Sequence, residues 1–151
     1  MTNDDRLRQA QAILAPWALE NVIPEPTRLD VVLDRVHITE AVTALMDNAW
    51  GYLVAITGLD LGAEADQFEA LYHFGSGALV LTLRVRIPHA DAVVPSITGV
   101  IPSASVAERE LLEMFGINVV GLADQTRLFL PDDWPDGVYP LRKDAILEKR
   151  S

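Results

Sequence analysis

Residues 67–86 hold the feature that most narrows the fold. In Gln67–Phe74 the side chains of Phe68, Ala70, Tyr72 and Phe74 alternate with more polar neighbours. In Leu79–Arg86 the same is true of Leu79, Leu81, Leu83 and Val85. A strand sends successive side chains to opposite faces, so each run makes one apolar face and one wetter face. Gly75-Ser76-Gly77 between them is a hairpin link, because glycine tolerates the positive φ of a tight turn. A hairpin with one greasy face needs a covering layer, which must come from the rest of the chain.

The chain offers that layer. Residues 4–20 show apolar side chains at helical spacing, Leu7, Ala10, Ile13, Leu14, Trp17 and Ala18, with Asp4 as a cap and Pro16 as a kink or stop. Thr39 to Asn48 reads as a second helix, with Val42, Leu45, Met46 and Ala49 on one side. Leu29–Leu33 and Trp50–Thr57 are further strands. Asn21–Thr27, with Pro24 and Pro26, reads as an extended linker, and Leu59–Asp66 as a solvated loop. The chain has 151 residues, the size of one domain. Helix, strand, helix and meander in that order predict an α+β fold, a two-layer mixed sheet with helices on one face.

Beyond Arg86 the character changes. Pro88, Pro95 and Pro102 punctuate the segment before Ser105-Val106-Ala107-Glu108, which matches a capping box. The helix it opens has Leu111, Leu112 and Phe115 on one face, and Gly116 is suited to stop it. From Ile117 onward periodicity is weak, and Phe129, Trp134 and Tyr139 stand among Pro131, Pro135 and Pro140. These features divide the single domain into an α+β core, 1–116, and an extended C-terminal arm, 117–151. Such an arm shelters its aromatic surface on its own domain or on a partner, and the residues leave both open.

Composition removes several functions. Twelve Lys and Arg against 22 Asp and Glu give a net charge of −10, which repels nucleic-acid backbones and anionic lipid. No cysteine is present, so thiolate zinc sites, thiolate-bound iron–sulfur clusters and thiol catalysis are excluded. His37, His73 and His89 do not have the spacing of paired metal ligands, and each reads as a structural or surface histidine. There is no phosphate-cradling glycine loop and no Gly-x-Ser-x-Gly elbow. No apolar run reaches the ~20 residues that cross a bilayer. Met1–Arg8 is polar, with no apolar stretch of a leader behind it. Asp132-Asp133 and the pair Glu108 and Glu110 are the carboxylates a small free-standing hydrolase could use. A stand-alone protein-binding module is the other alternative.

Ala107 to Asp144 reads AERELLEMFGINVVGLADQTRLFLPDDWPDGVYPLRKD. This resembles the signature of the thirty-kilodalton (C-type) subunit family of respiratory complex I and of energy-converting nickel–iron hydrogenases. The matching pieces are Glu108-Arg109-Glu110, Met114-Phe115-Gly116-Ile117, Arg127, Leu130-Pro131-Asp132-Asp133-Trp134 and Tyr139-Pro140-Leu141-Arg142-Lys143-Asp144. Thr57-Gly58-Leu59-Asp60, Tyr72-His73-Phe74 and Val94-Pro95-Ser96-Ile97-Thr98 also look like the family. Where the family carries His-Pro after the glycine beyond the helix, this chain has Leu122-Ala123 after Gly121. The stretch Trp134–Pro140 looks more like the hydrogenase branch.

The resemblance implies a cofactor-free accessory subunit of a multi-subunit, membrane-associated oxidoreductase. It implies packing on the large catalytic subunit of the peripheral arm, the forty-nine-kilodalton-like or hydrogenase large subunit, and on its iron–sulfur small subunit, at the cytoplasmic face of the membrane. Arg109, Arg127, Trp134, Tyr139, Arg142 and Lys143 are then the expected interface residues. The local alternative is that Arg109 pairs with Glu113 one helical turn on, and that Arg142-Lys143 is a solvated tail.

Overall fold

A computed structural model describes residues 1–147. Helix α1, Asn3–Leu14, starts one step earlier than the sequence suggests. Its cap is Thr2, not Asp4: Thr2 Oγ1 accepts from the Asp5 N–H at 3.1 Å and Asp5 Oδ2 accepts from the Thr2 N–H at 3.0 Å. The helix stops two residues before Pro16, and the chain then does something the prolines hid. Ala18–Glu25 is not helix tail and linker but strand β1, antiparallel to β2, Arg28–Leu33. Pro24 is tolerated because it lies on an edge strand, inside a break in the ladder between Val22 and Glu25.

The remaining elements follow the predicted order. They are α2, Ile38–Asp47; β3, Tyr52–Asp60; a single turn α3, Gly62–Ala65; β4, Gln67–Ser76; and β5, Leu79–Pro88. The sheet order is β1-β2-β5-β4-β3, with β2 and β5 parallel and every other neighbour antiparallel. The β4–β5 register sets Phe68 opposite Ile87, Ala70 opposite Val85, Tyr72 opposite Leu83 and Phe74 opposite Leu81. All eight are buried, together with Leu29, Val31 and Leu33 of β2. α1 and α2 cover this face with Leu7, Ala10, Leu14, Ile38, Val42 and Leu45. The fold is therefore α+β, with a mixed sheet and helices on one side.

The opposite face of the sheet is polar. Arg84 of β5 reaches Glu69 on β4 at 2.6 Å and Asp30 on β2 at 3.2 Å. His73 sits between Thr57 and Thr82, at 3.1 and 2.9 Å. These bonds pair polar groups across the face opposite α1 and α2, leaving Asp30 Oδ1 buried without a hydrogen-bond partner.

Downstream, β6, Val93–Pro95, leads through a 3-10 turn at Pro102–Ala104 into α4, Ser105–Phe115. α4 lies on β3 on the helical side of the sheet, so close that a Cβ on Gly58 would stand 2.5 Å from the Phe115 ring. The expected capping box is not formed. Ser105 already has helical dihedrals, and its N–H is bonded to the Pro102 carbonyl of the preceding turn. Glu108 instead turns inward, fully buried, and accepts from Ser96 Oγ at 2.6 Å and the Ile97 N–H at 2.7 Å.

After α4 the chain forms β7, Asn118–Val120, parallel to β6. Ile117, Val119 and Leu122 are buried in the common core. The expectation that all strands precede Ile117 is thus corrected: 117–122 is core, and among the described residues the segment from Ala123 to Leu147 holds no regular element. Three alternating residues are too few to announce a strand by periodicity.

Candidate functional site

α4 is an amphipathic helix with two tasks. Leu111 and Phe115 point into the core, while Arg109, Glu113 and the last-turn carbonyls receive the arm. Arg109 does not pair with Glu113. Its guanidinium donates to the Thr126 carbonyl at 2.8 and 3.1 Å and to Thr126 Oγ1 at 3.0 Å, and lies 3.5 Å from Asp124. Asp124 also accepts from the Thr126 hydroxyl and N–H, and these bonds hold its carboxyl below the usual carboxylate range.

One turn later the buried Glu113 carboxylate accepts from three consecutive arm amides. They are Leu128 at 2.9 Å, Phe129 at 3.2 Å and Leu130 at 3.3 Å. Arg127 works from inside the arm. It donates to the carbonyls of Pro131, Asp132 and Trp134 at 3.0, 3.3 and 2.7 Å, and pairs with Asp136 at 2.8 Å. Trp134 closes the same loop, its indole N–H donating to the Val138 carbonyl at 2.8 Å.

The arm is fastened again at the C-terminus of α4. Gly116 has φ +72°, and the Tyr139 ring occupies the space of a Cβ there, 2.5 Å from its ideal position. The Arg142 guanidinium lies between two rings, 5.1 Å from the Phe68 centroid and 4.9 Å from that of Tyr139. Its Nε donates to the Phe115 carbonyl at 2.6 Å, which places a cation on an open helix C-terminus. The Leu141 N–H donates to the Met114 carbonyl.

The Lys143 N–H donates to Asp60 Oδ2 at 2.9 Å. Asp60, expected in a solvated loop, is the last residue of β3 and a junction. Its Oδ1 also accepts from the Gly62 N–H at 3.0 Å and faces His89 Nε2 at 2.8 Å. Burial opposes its ionisation, but the Lys143 and Gly62 N–H groups and His89 outweigh that, leaving its carboxyl below the usual range.

The six expected interface residues are therefore gathered along one seam, and the contacts described for all six are with their own chain. Phe129 at 42%, Leu128 at 48% and Leu141 at 51% exposure point away from the seam, as do Ile146 and Leu147. Sequence reasoning missed Glu113 and Asp60 as arm holders. The four-residue spacing of Arg109 and Glu113 carried a signal, but for an intrahelical pair. The carboxylates of the hydrolase alternative do not converge: Glu108 is sealed in the core while Asp132 and Asp133 stand on the exposed loop. Among the described residues no three His, Asp or Glu side chains gather as they would around a metal ion. No described helix is long and apolar enough to cross a membrane.

Residues 31–151 match the family model described as respiratory-chain NADH dehydrogenase, 30 Kd subunit. The chain belongs to this family. Over 122 residues it is 48% identical to formate hydrogenlyase subunit 5 of Escherichia coli (strain K12), covering 79% of this chain but 21% of that protein. This chain thus spans about a fifth of the length of that relative. It is 28% identical over 148 residues to an NADH-quinone oxidoreductase subunit of Herpetosiphon aurantiacus, covering 95% of this chain and 85% of that one. Among solved structures, a chain of the membrane-bound sulfane sulfur reductase, an archaeal respiratory membrane complex, superposes with a TM-score of 0.81 at 23% identity. That likeness covers 95% of this chain and 85% of the other and shows a shared fold. The position where the resemblance expected a histidine is filled by Leu122, which is buried in the core.

Proposed function

We propose that this chain is a cofactor-free accessory subunit of a multi-subunit, membrane-associated oxidoreductase, of the complex I or energy-converting hydrogenase kind. It packs on the large catalytic subunit, beside the iron–sulfur small subunit, at the cytoplasmic face of the membrane. The observation that carries this reading is the outer side of the seated arm. Leu128, Phe129 and Leu141 are exposed on a segment whose own hydrogen bonds are directed inward, as on a surface prepared to be covered. Family membership and relatives named as subunits of such complexes support it. Arg109, Arg127, Trp134, Tyr139, Arg142 and Lys143 serve the interface in this reading by fixing the arm that presents it.

The test is purification of the assembled complex from the native host through a tag on this chain. Replacing Leu128 and Phe129 together by Asp is expected to remove the large subunit from the eluate. Replacing Leu19, exposed on β1, by Asp is expected to leave it there. Equal retention in both would refute the docking surface.

A further inference from the structure

Glu113 is the one carboxylate of α4 whose described partners are all backbone amides of the arm. It is 7% exposed, and its contacts are the N–H groups of Leu128, Phe129 and Leu130. Three successive N–H groups turned toward one carboxylate form a concave nest. In an irregular segment this arrangement costs backbone entropy, which the charge-assisted bonds offset. Glu113 therefore determines the path of the very residues whose side chains point outward. Leu128 and Phe129 are 48% and 42% exposed although their amides are turned inward. Arg127, immediately before them, ties the following turn through the carbonyls of Pro131 and Trp134. The apolar pair is clasped from the helix side by Glu113 and from the loop side by Arg127.

We infer that Glu113 is a positioning residue for docking: its carboxylate fixes the 128–130 backbone in the free chain, so that Leu128 and Phe129 meet the partner as a preformed apolar knob. The inference rests on the docking reading above and adds to it the side chain that sets the geometry. Preformation lowers the ordering cost of association, so the loss of Glu113 is felt in binding even though the residue touches no partner.

The test uses the full-length chain with Glu113→Gln and Glu113→Ala. Gln preserves size but replaces one acceptor oxygen by a donor amide. Hydrogen exchange at the Leu128, Phe129 and Leu130 amides is expected to accelerate roughly tenfold or more, with the β4 amides at Tyr72 and Phe74 unchanged. Retention of the large subunit on the tagged chain is expected to fall by about the same factor. Acceleration spread over β4 and α4 would make Glu113 an ordinary structural residue and overturn the inference. Unchanged exchange at 128–130, or wild-type retention of the large subunit, would overturn it as well. A Leu128→Ala/Phe129→Ala pair separates the two proposals. If that pair loses the partner while Glu113→Gln keeps it, the positioning role alone fails. If the pair keeps the partner, the docking reading fails and takes this inference with it.

Discussion

The β4–β5 hairpin and the C-terminal arm are ordered by opposite means. The hairpin is fixed by apolar burial: Phe68, Tyr72, Phe74, Leu81, Leu83 and Val85 share one closed face, and their register follows from which side must be dry. The arm buries little apolar surface and is fixed by discrete polar hooks, Arg109, Glu113, Arg127, Arg142 and Asp60, each gripping backbone atoms. A region held by burial resists loss of any one polar group. A region held by hooks can lose one and loosen locally.

That difference sets the size of mutational effects. The largest is expected in the hairpin: Phe74→Ala leaves a cavity in a fully buried site and should cost ~3–5 kcal/mol in a denaturant titration. A cost below ~1 kcal/mol would mean the hairpin face is not a closed core. The Arg142 hook comes next. Arg142→Ala removes the bond to the Phe115 carbonyl and the contacts with Phe68 and Tyr139. It should cost ~1.5–3 kcal/mol, with fraying confined to residues after Pro140 in hydrogen exchange. Fraying that reached β4 would erase the distinction between the two regions.

Glu108 sharpens the comparison from inside the core. Burial raises its pKa, against the opposing effect of Ser96 and the Ile97 N–H. The folded state then binds the proton more tightly than the unfolded one. Stability is highest below the unfolded carboxylate pKa and declines as pH rises from there through the folded value. Glu108→Gln should flatten that decline in urea midpoints measured across the acid to neutral range. Identical pH slopes in the two proteins would contradict the assignment. The smallest effect belongs to Ser105→Ala, which should change stability by less than ~0.5 kcal/mol, because Ser105 makes no cap. A loss near ~1 kcal/mol would restore the capping box.

The same contrast explains what could be read from the sequence. Period-two alternation announced β4 and β5, and helical spacing announced α2, because burial repeats with the backbone. β1 was hidden: its residues are exposed from Leu19 onward and carry Pro24, so neither alternation nor composition marks a strand whose only packing is edge pairing. β7 was too short to show a period. The family motif located the arm and its residues, but not their direction. Arg109, Arg127 and Arg142 read equally well as hooks into their own chain or out toward another. Their bonds within the chain run to the carbonyls of Thr126, Trp134 and Phe115, which no side-chain pattern encodes. Glu113 escaped notice for the same reason.

In the single chain the arm is already seated on α4. The absence of cysteine allows a direct measurement, since an introduced pair can be spin-labelled with no competing site. Asp47→Cys at the end of α2 and Asp133→Cys on the exposed arm loop place one label on the helical layer of the core and one on the arm. Pulsed electron paramagnetic resonance on the free chain should give one narrow distance, and the same distance in the assembled complex. A broad distribution in the free chain that narrows only on assembly would contradict the account.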